Sequence, residues 1–99
     1  MDRELAAKRL AELGHNTRLS IFRYLVRIGH EGAPVGQIQN KLGIPGSTLS
    51  HHINRLVSAG LIRQGRESRT LYCGPQFDVL QELVDFLQAE CCIDESCNT

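Results

Sequence analysis

A small, mainly α-helical domain carrying one β-hairpin is the expected architecture of this chain, and three observations point to it. Apolar residues recur at three- and four-residue intervals through most of the 99 residues, the period of helices with one buried face. The exception is a β-prone stretch from Leu61 to Tyr72. Glycines and prolines gather between the periodic runs, at Gly14, at Gly29 to Pro34, at Gly43 to Gly46, at Gly60 and at Gly74-Pro75, and so mark where elements end.

Taken in order, Leu5, Ala6, Leu10 and Leu13 give an apolar stripe to a first helix that ends near Gly14. Asn16 or Thr17 is placed to cap a second helix, in which Leu19, Phe22, Leu25 and Val26 share a face. After the break from Gly29 to Pro34, Val35 to Leu42 reads as a third helix and Ser47 to Val57 as a fourth. The turn Gly43-Ile44-Pro45-Gly46 joins them. Two helices across so short a turn make a helix-turn-helix. Leu49, Ile53 and Leu56 stack on one side of the fourth helix and leave Ser47, His51 and Asn54 pointing away. Leu61 to Tyr72 then forms two short strands around a polar, Gly-containing tip, a basic wing. Beyond Gly74-Pro75 a last helix carries Phe77, Leu80, Leu83, Val84 and Leu87, with Gln81, Asp85 and Gln88 opposite.

The sum is a winged helix-turn-helix, expected as a homodimer. So short a chain buries little surface in one core, and its first and last helices cannot both hide their apolar stripes within the monomer. Residues 1–90 are expected to form the DNA-binding and dimerisation domain, and 91–99 a cysteine-bearing tail.

The formal net charge is zero, but it is segregated. Between Gly32 and Pro75, Lys41, Arg55, Arg63, Arg66 and Arg69 face the single acid Glu67. From Gln76 onward Asp78, Glu82, Asp85, Glu90, Asp94 and Glu95 meet no Lys or Arg. A basic middle suits the phosphates of double-stranded operator DNA, and an acidic end should lie away from them. Ser47, Thr48, Ser50 and His51 are the candidate base-reading residues, Arg55 a candidate phosphate contact, and Arg66 and Arg69 the candidate wing contacts. His52, His15 and His30 read as structural. No orienting group or substrate pocket accompanies the cysteines and histidines, so an enzyme is not expected. No apolar run approaches membrane-spanning length and the Met-Asp-Arg-Glu start lacks the apolar core of a signal peptide, so a cytoplasmic location with reduced thiols is expected.

The segments from Leu13 to Leu25 and from Ser47 to Ile62 resemble the ArsR/SmtB family of metal-responsive repressors, and the likeness runs from Leu5 to about Leu87. The resemblance implies a dimer joined by its first and last helices, bound to an inverted-repeat operator and released by an inducer. It does not name the inducer, because the scaffold carries different sensing sites in different members. Family arsenic sensors with paired cysteines at the start of the helix-turn-helix have no counterpart here, where Pro34 and Gly36 stand. A zinc site on the last helix needs histidine, and none follows His52.

What remains is Cys91, Cys92 and Cys97, similar to the C-terminal cysteine site of another arsenic-responsive branch. Three thiols without an imidazole suit trivalent arsenic or antimony as inducer, with no cofactor needed for DNA binding. Neighbouring helical residues diverge by about 100°, so Cys91 and Cys92 converge only if the helix has frayed there. Two other readings stay open: a thiol redox or persulfide switch closing Cys92 on Cys97, and a tail with incidental thiols. Cys73, at the end of the wing, reads as a small packed hydrophobe.

Overall fold

The computed structural model describes residues 1–95 and contains five helices and a three-stranded sheet. Helix α1 spans Arg3–Leu13 and α2 Asn16–Ile28; strand β1 is Ala33–Pro34; α3 spans Val35–Leu42 and α4 Gly46–Ser58; strands β2, Ile62–Glu67, and β3, Thr70–Pro75, lead to α5, Phe77–Gln88. The helix-turn-helix is therefore α3 and α4, with the expected turn between them, and β2 and β3 form the wing. The mainly helical, winged fold follows the periodicity of the sequence.

The sheet order is β1-β3-β2, antiparallel throughout. Strand β1 was not expected, since two residues leave no period to detect. It pairs Ala33 with Cys73 and Pro34 with Tyr72, fastening the start of the helix-turn-helix to the wing. Gly32 makes that approach possible. It sits at φ +75°, and a Cβ there would stand 2.5 Å from the Cys73 carbonyl oxygen. The wing turn also differs from the expectation. Gly65 is not at the tip but within β2 opposite Tyr72, and the turn is Ser68-Arg69, closed by the Glu67 and Thr70 pair with Ser68 at φ 56°.

The core joins α2, α3, α4 and the base of the wing. Ile21, Leu25, Ile38, Leu49, Leu56, Leu61 and Cys73 are all inaccessible to solvent. Cys73 is thus a packed residue, and burial pushes its thiol pKa up. Two expected stripes are rotated. Leu10 and Leu19 are 38% and 40% exposed, while the charged Glu12 and Arg18 are buried in their place. The cap of α2 is His15, whose Nδ1 accepts from the Thr17 amide at 3.2 Å, in place of Asn16 or Thr17. On α5 Leu83 is buried and Leu80 half-buried against the core, but Val84 is 39% and Leu87 60% exposed. Among the described residues no helix is long and apolar enough to cross a membrane.

Candidate nucleic-acid interface

Helix α4 turns Leu49, Ile53 and Leu56 into the core, and the same geometry turns its other side outward. Ser47, Thr48, Ser50, His51 and Asn54 are exposed. The helix begins after Pro45 with no side-chain cap, so the amides of its first turn remain free to donate to an external acceptor. Proline and glycine together fix this start: Pro45 holds an extended backbone and Gly46 opens the helix. Arg66 and Arg69 are exposed at the far end of the wing, one on β2 and one in the turn. Free amides, small hydroxyls, an imidazole and two wing cations are donors of the kinds that reach base edges and phosphates.

Arg55 is not a free cation. Its Nε donates to both Glu12 carboxylate oxygens, at 2.9 and 3.2 Å, and its Nη2 donates to Oε1 at 2.8 Å. Glu12 also faces Arg18, whose Nε donates to the Glu12 backbone oxygen at 2.8 Å and stands 3.9 Å from the carboxylate. The other arm of Arg18, Nη1, lies 3.2 Å from His52 Nδ1. Guanidinium has no acceptor, so Nδ1 must accept and the ring proton sits on Nε2. The hydrogen bonds from Arg55, aided by the charge of Arg18, hold the Glu12 carboxyl below its ordinary range against the opposing effect of burial. Burial first, then the positive surroundings of His15 and Arg18, push the His52 pKa down. His52 is therefore a neutral, buried acceptor, and His51 beside it is the exposed one.

This network of α1, α2 and α4 escapes a search for apolar stripes because its members are charged. The signal is nonetheless in the spacing. Leu5, Ala6, Arg9, Glu12 and Leu13 share one face of α1, and Arg18, Ile21, Phe22 and Leu25 share one face of α2. A charged residue at a core position of a periodic run is the mark of a buried pair.

Arg9 ties the same region to the last helix. Its Nε donates to the Ala59 carbonyl at the end of α4 at 2.9 Å, and its Nη1 lies 3.9 Å from Glu82 of α5. His30 stacks on Phe77, ring centroids 4.6 Å apart, at the start of α5. Beyond α5 the chain leaves the helix, with Glu90 and Cys92 both at φ 62°. Cys91 and Cys92 are exposed, and their sulfurs are 3.2 Å apart. That is too long for a disulfide, which needs about 2.05 Å. Their mutual hydrogen bond, then Glu95, raises the Cys92 pKa, so this thiol is protonated at neutral pH. Cys97 lies outside the described residues, and among the described ones no group of three or more His, Cys, Asp or Glu side chains is placed to hold a metal ion.

A free helix start, an outward polar face and a basic wing on one scaffold are the parts of a DNA reader. The model of the helix-turn-helix domain family matches residues 13–65, from the end of α1 through β2. The chain belongs to the helix-turn-helix transcriptional regulators. It is 30% identical over 86 residues to the nodulation protein NolR of Rhizobium meliloti, covering 87% of this chain and 68% of that one. It is also 32% identical over 80 residues to the HTH-type transcriptional regulator YceK of Bacillus subtilis (strain 168), covering 81% and 79%. Among solved structures it is similar to the transcriptional repressor BigR of Xylella fastidiosa, at 27% identity and TM-score 0.68 over 87% of this chain and 85% of that one. An ArsR-like regulator of Rhodococcus sp. RHA1, 20% identical, shares the fold with TM-score 0.76 over 86% and 77%. The fold is thus that of helix-turn-helix regulators, and among the similar proteins YceK is named as a transcriptional regulator and BigR as a transcriptional repressor.

Proposed function

We infer that the regulator is a homodimeric repressor that holds an inverted-repeat operator and leaves it when trivalent arsenic or antimony is bound by Cys91, Cys92 and Cys97. One observation carries the inducer assignment: two exposed thiols lie 3.2 Å apart immediately after the last helix. Two thiolates held about 2.3 Å from one centre, as in zinc–thiolate bonds, and at roughly right angles stand about 3.3 Å apart. The helix has ended by Gln88, which removes the divergence that would keep adjacent cysteines from one atom. Cys97 would supply the third sulfur that a trivalent metalloid favours. The similar protein BigR is a transcriptional repressor, which supports the direction of control.

In the bound state α4 enters the major groove by its uncapped end. Ser47, Thr48, Ser50 and His51 reach base edges there, and Arg66 and Arg69 grip phosphates beside it. Arg55 acts on phosphate through the half of its guanidinium that Glu12 leaves open. The apolar outer face of α5, with Val84 and Leu87, packs on the partner subunit together with α1. Closing three thiolates around a metalloid reorders the chain at the end of α5. Glu82, Arg9 and Ala59 carry the change to the end of α4. Coupling of this kind amounts to about 1–3 kcal/mol, enough to empty an operator. Because Cys92 is protonated at neutral pH, inducer binding releases protons and weakens as pH falls.

The test is fluorescence anisotropy of an operator duplex, selected by the protein from random-sequence DNA, titrated with reduced protein and then with arsenite. Release by arsenite that is abolished in Cys91→Ser, Cys92→Ser and Cys97→Ser establishes the three-thiolate repressor. Release by diamide or a persulfide, with none by arsenite, replaces it with a redox switch on the same fold.

A further inference from the structure

Away from the recognition helix, α2 and α3 enclose a second basic surface. A concavity of about 370 Å³ is lined by Ser20, Arg23, Tyr24 and Arg27 of α2 with Lys41 and Leu42 of α3. Arg23, Arg27 and Lys41 are exposed, and among the described residues no acidic group lies within ion-pair distance of any of them. The floor is fixed, since Gln37 Nε2 donates to the Tyr24 hydroxyl at 2.8 Å and so joins the two helices. We propose that this groove takes the phosphodiester backbone of the operator duplex alongside the half-site read by α4, a contact separate from those of the recognition helix and the wing. The proposal rests on the operator-binding reading above.

Three arguments carry it. Arg23 and Arg27 are one helical turn apart with like charge, an arrangement that weakens a helix in isolation and is relieved by a bound anion. A face that was merely solvated would mix signs, as the wing does with Glu67 among its arginines, whereas the charged residues that line this groove, Arg23, Arg27 and Lys41, are all cations. Its position fits as well. Lys41 lies in the last turn of α3, just before the turn that leads into the free end of α4. The first helix of a helix-turn-helix crosses the DNA backbone while the second enters the groove, so phosphates pass beside α3. A run of phosphates complements three cations in a row, and contacts to phosphate fix position without reading sequence.

The experiment compares two variants of equal net charge on the selected operator duplex: Arg23→Gln with Arg27→Gln, and Arg3→Glu at the exposed start of α1. Affinity and its salt dependence are measured by anisotropy, and folding by thermal denaturation. The groove variant should bind roughly tenfold more weakly at about 0.15 M salt, with a log–log salt slope shallower by about 0.9 for each phosphate no longer neutralised. Its base preference should be unchanged and its Tm equal to wild type or higher. The α1 variant should stay near wild type. Equal weakening in the two variants, reflecting net charge alone, or an unchanged affinity and slope in the groove variant, would overturn the proposal. Wild-type protein that bound no duplex in the selection would instead remove the operator-binding reading on which it rests.

Discussion

Glu12 is the residue on which the recognition helix is hung. Its carboxylate takes three hydrogen bonds from Arg55 and neutralises Arg18 in a site with little access to water. Glu12→Gln leaves both guanidinium groups in place without their counter-charge, and should cost about 1–3 kcal/mol. For a domain of this size the expected drop in Tm is roughly 10 °C, read by circular dichroism. His52 sets an acid limit on the same cluster. Its folded pKa lies below its ordinary 6.5, so the unfolded chain binds the proton more readily. Stability is therefore complete above about pH 6.5 and declines as pH falls from there toward the folded value. The lowered carboxyl of Glu12 adds a second decline only below its ordinary 4.5. Urea denaturation from pH 7.5 to 5 should show the first decline, and His52→Asn, which keeps an acceptor near the Nδ1 position, should flatten it. A wild-type curve already flat in that range would refute the neutral buried imidazole.

At the scale of elements, the junction between β1 and β3 decides how the wing sits on the helix-turn-helix. Gly32 is the hinge of that junction, left-handed and packed against the Cys73 carbonyl. Gly32→Ala meets both a strained φ and a clash with backbone, and should destabilise by at least about 2 kcal/mol. Gly43→Ala, at φ +64° with open space around its Cβ, faces only the conformational cost and should destabilise by about 1 kcal/mol. Equal effects, measured by chemical denaturation, would mean that the close approach of β1 to β3 contributes nothing. Most elements were legible beforehand. The turn Gly43 to Gly46 and the two helices beside it fall where glycine, proline and the 3.6-residue period put them. The hairpin turn was not, because Ser68 adopts a conformation that glycine usually supplies, while Gly65, the obvious turn residue, lies inside a strand. Propensity is local, but the pairing of β3 with both of its neighbours chose the register.

The whole molecule is long for its mass. Its radius of gyration is 16.1 Å and its longest extent 60 Å, whereas a compact chain of this length has a radius near 13 Å. Val84 and Leu87 stay exposed on α5, the face that the proposed dimer would cover. Val84→Lys with Leu87→Glu should give a monomer by sedimentation at micromolar concentration, with helical content intact and operator affinity sharply reduced. A variant that still sedimented as a dimer would place the interface elsewhere. Residue order alone was enough to specify five helices, a wing, an outward polar face on α4 and three thiols near the end, because each depends on period or composition within a few residues. Folding settled the rest: that Arg18 and Glu12 enter the core in place of Leu19 and Leu10, that Arg55 is held by α1, and that Cys91 and Cys92 meet beyond a finished helix. A charge is buried only where another element brings its partner, and no local pattern in the chain records which partner will arrive.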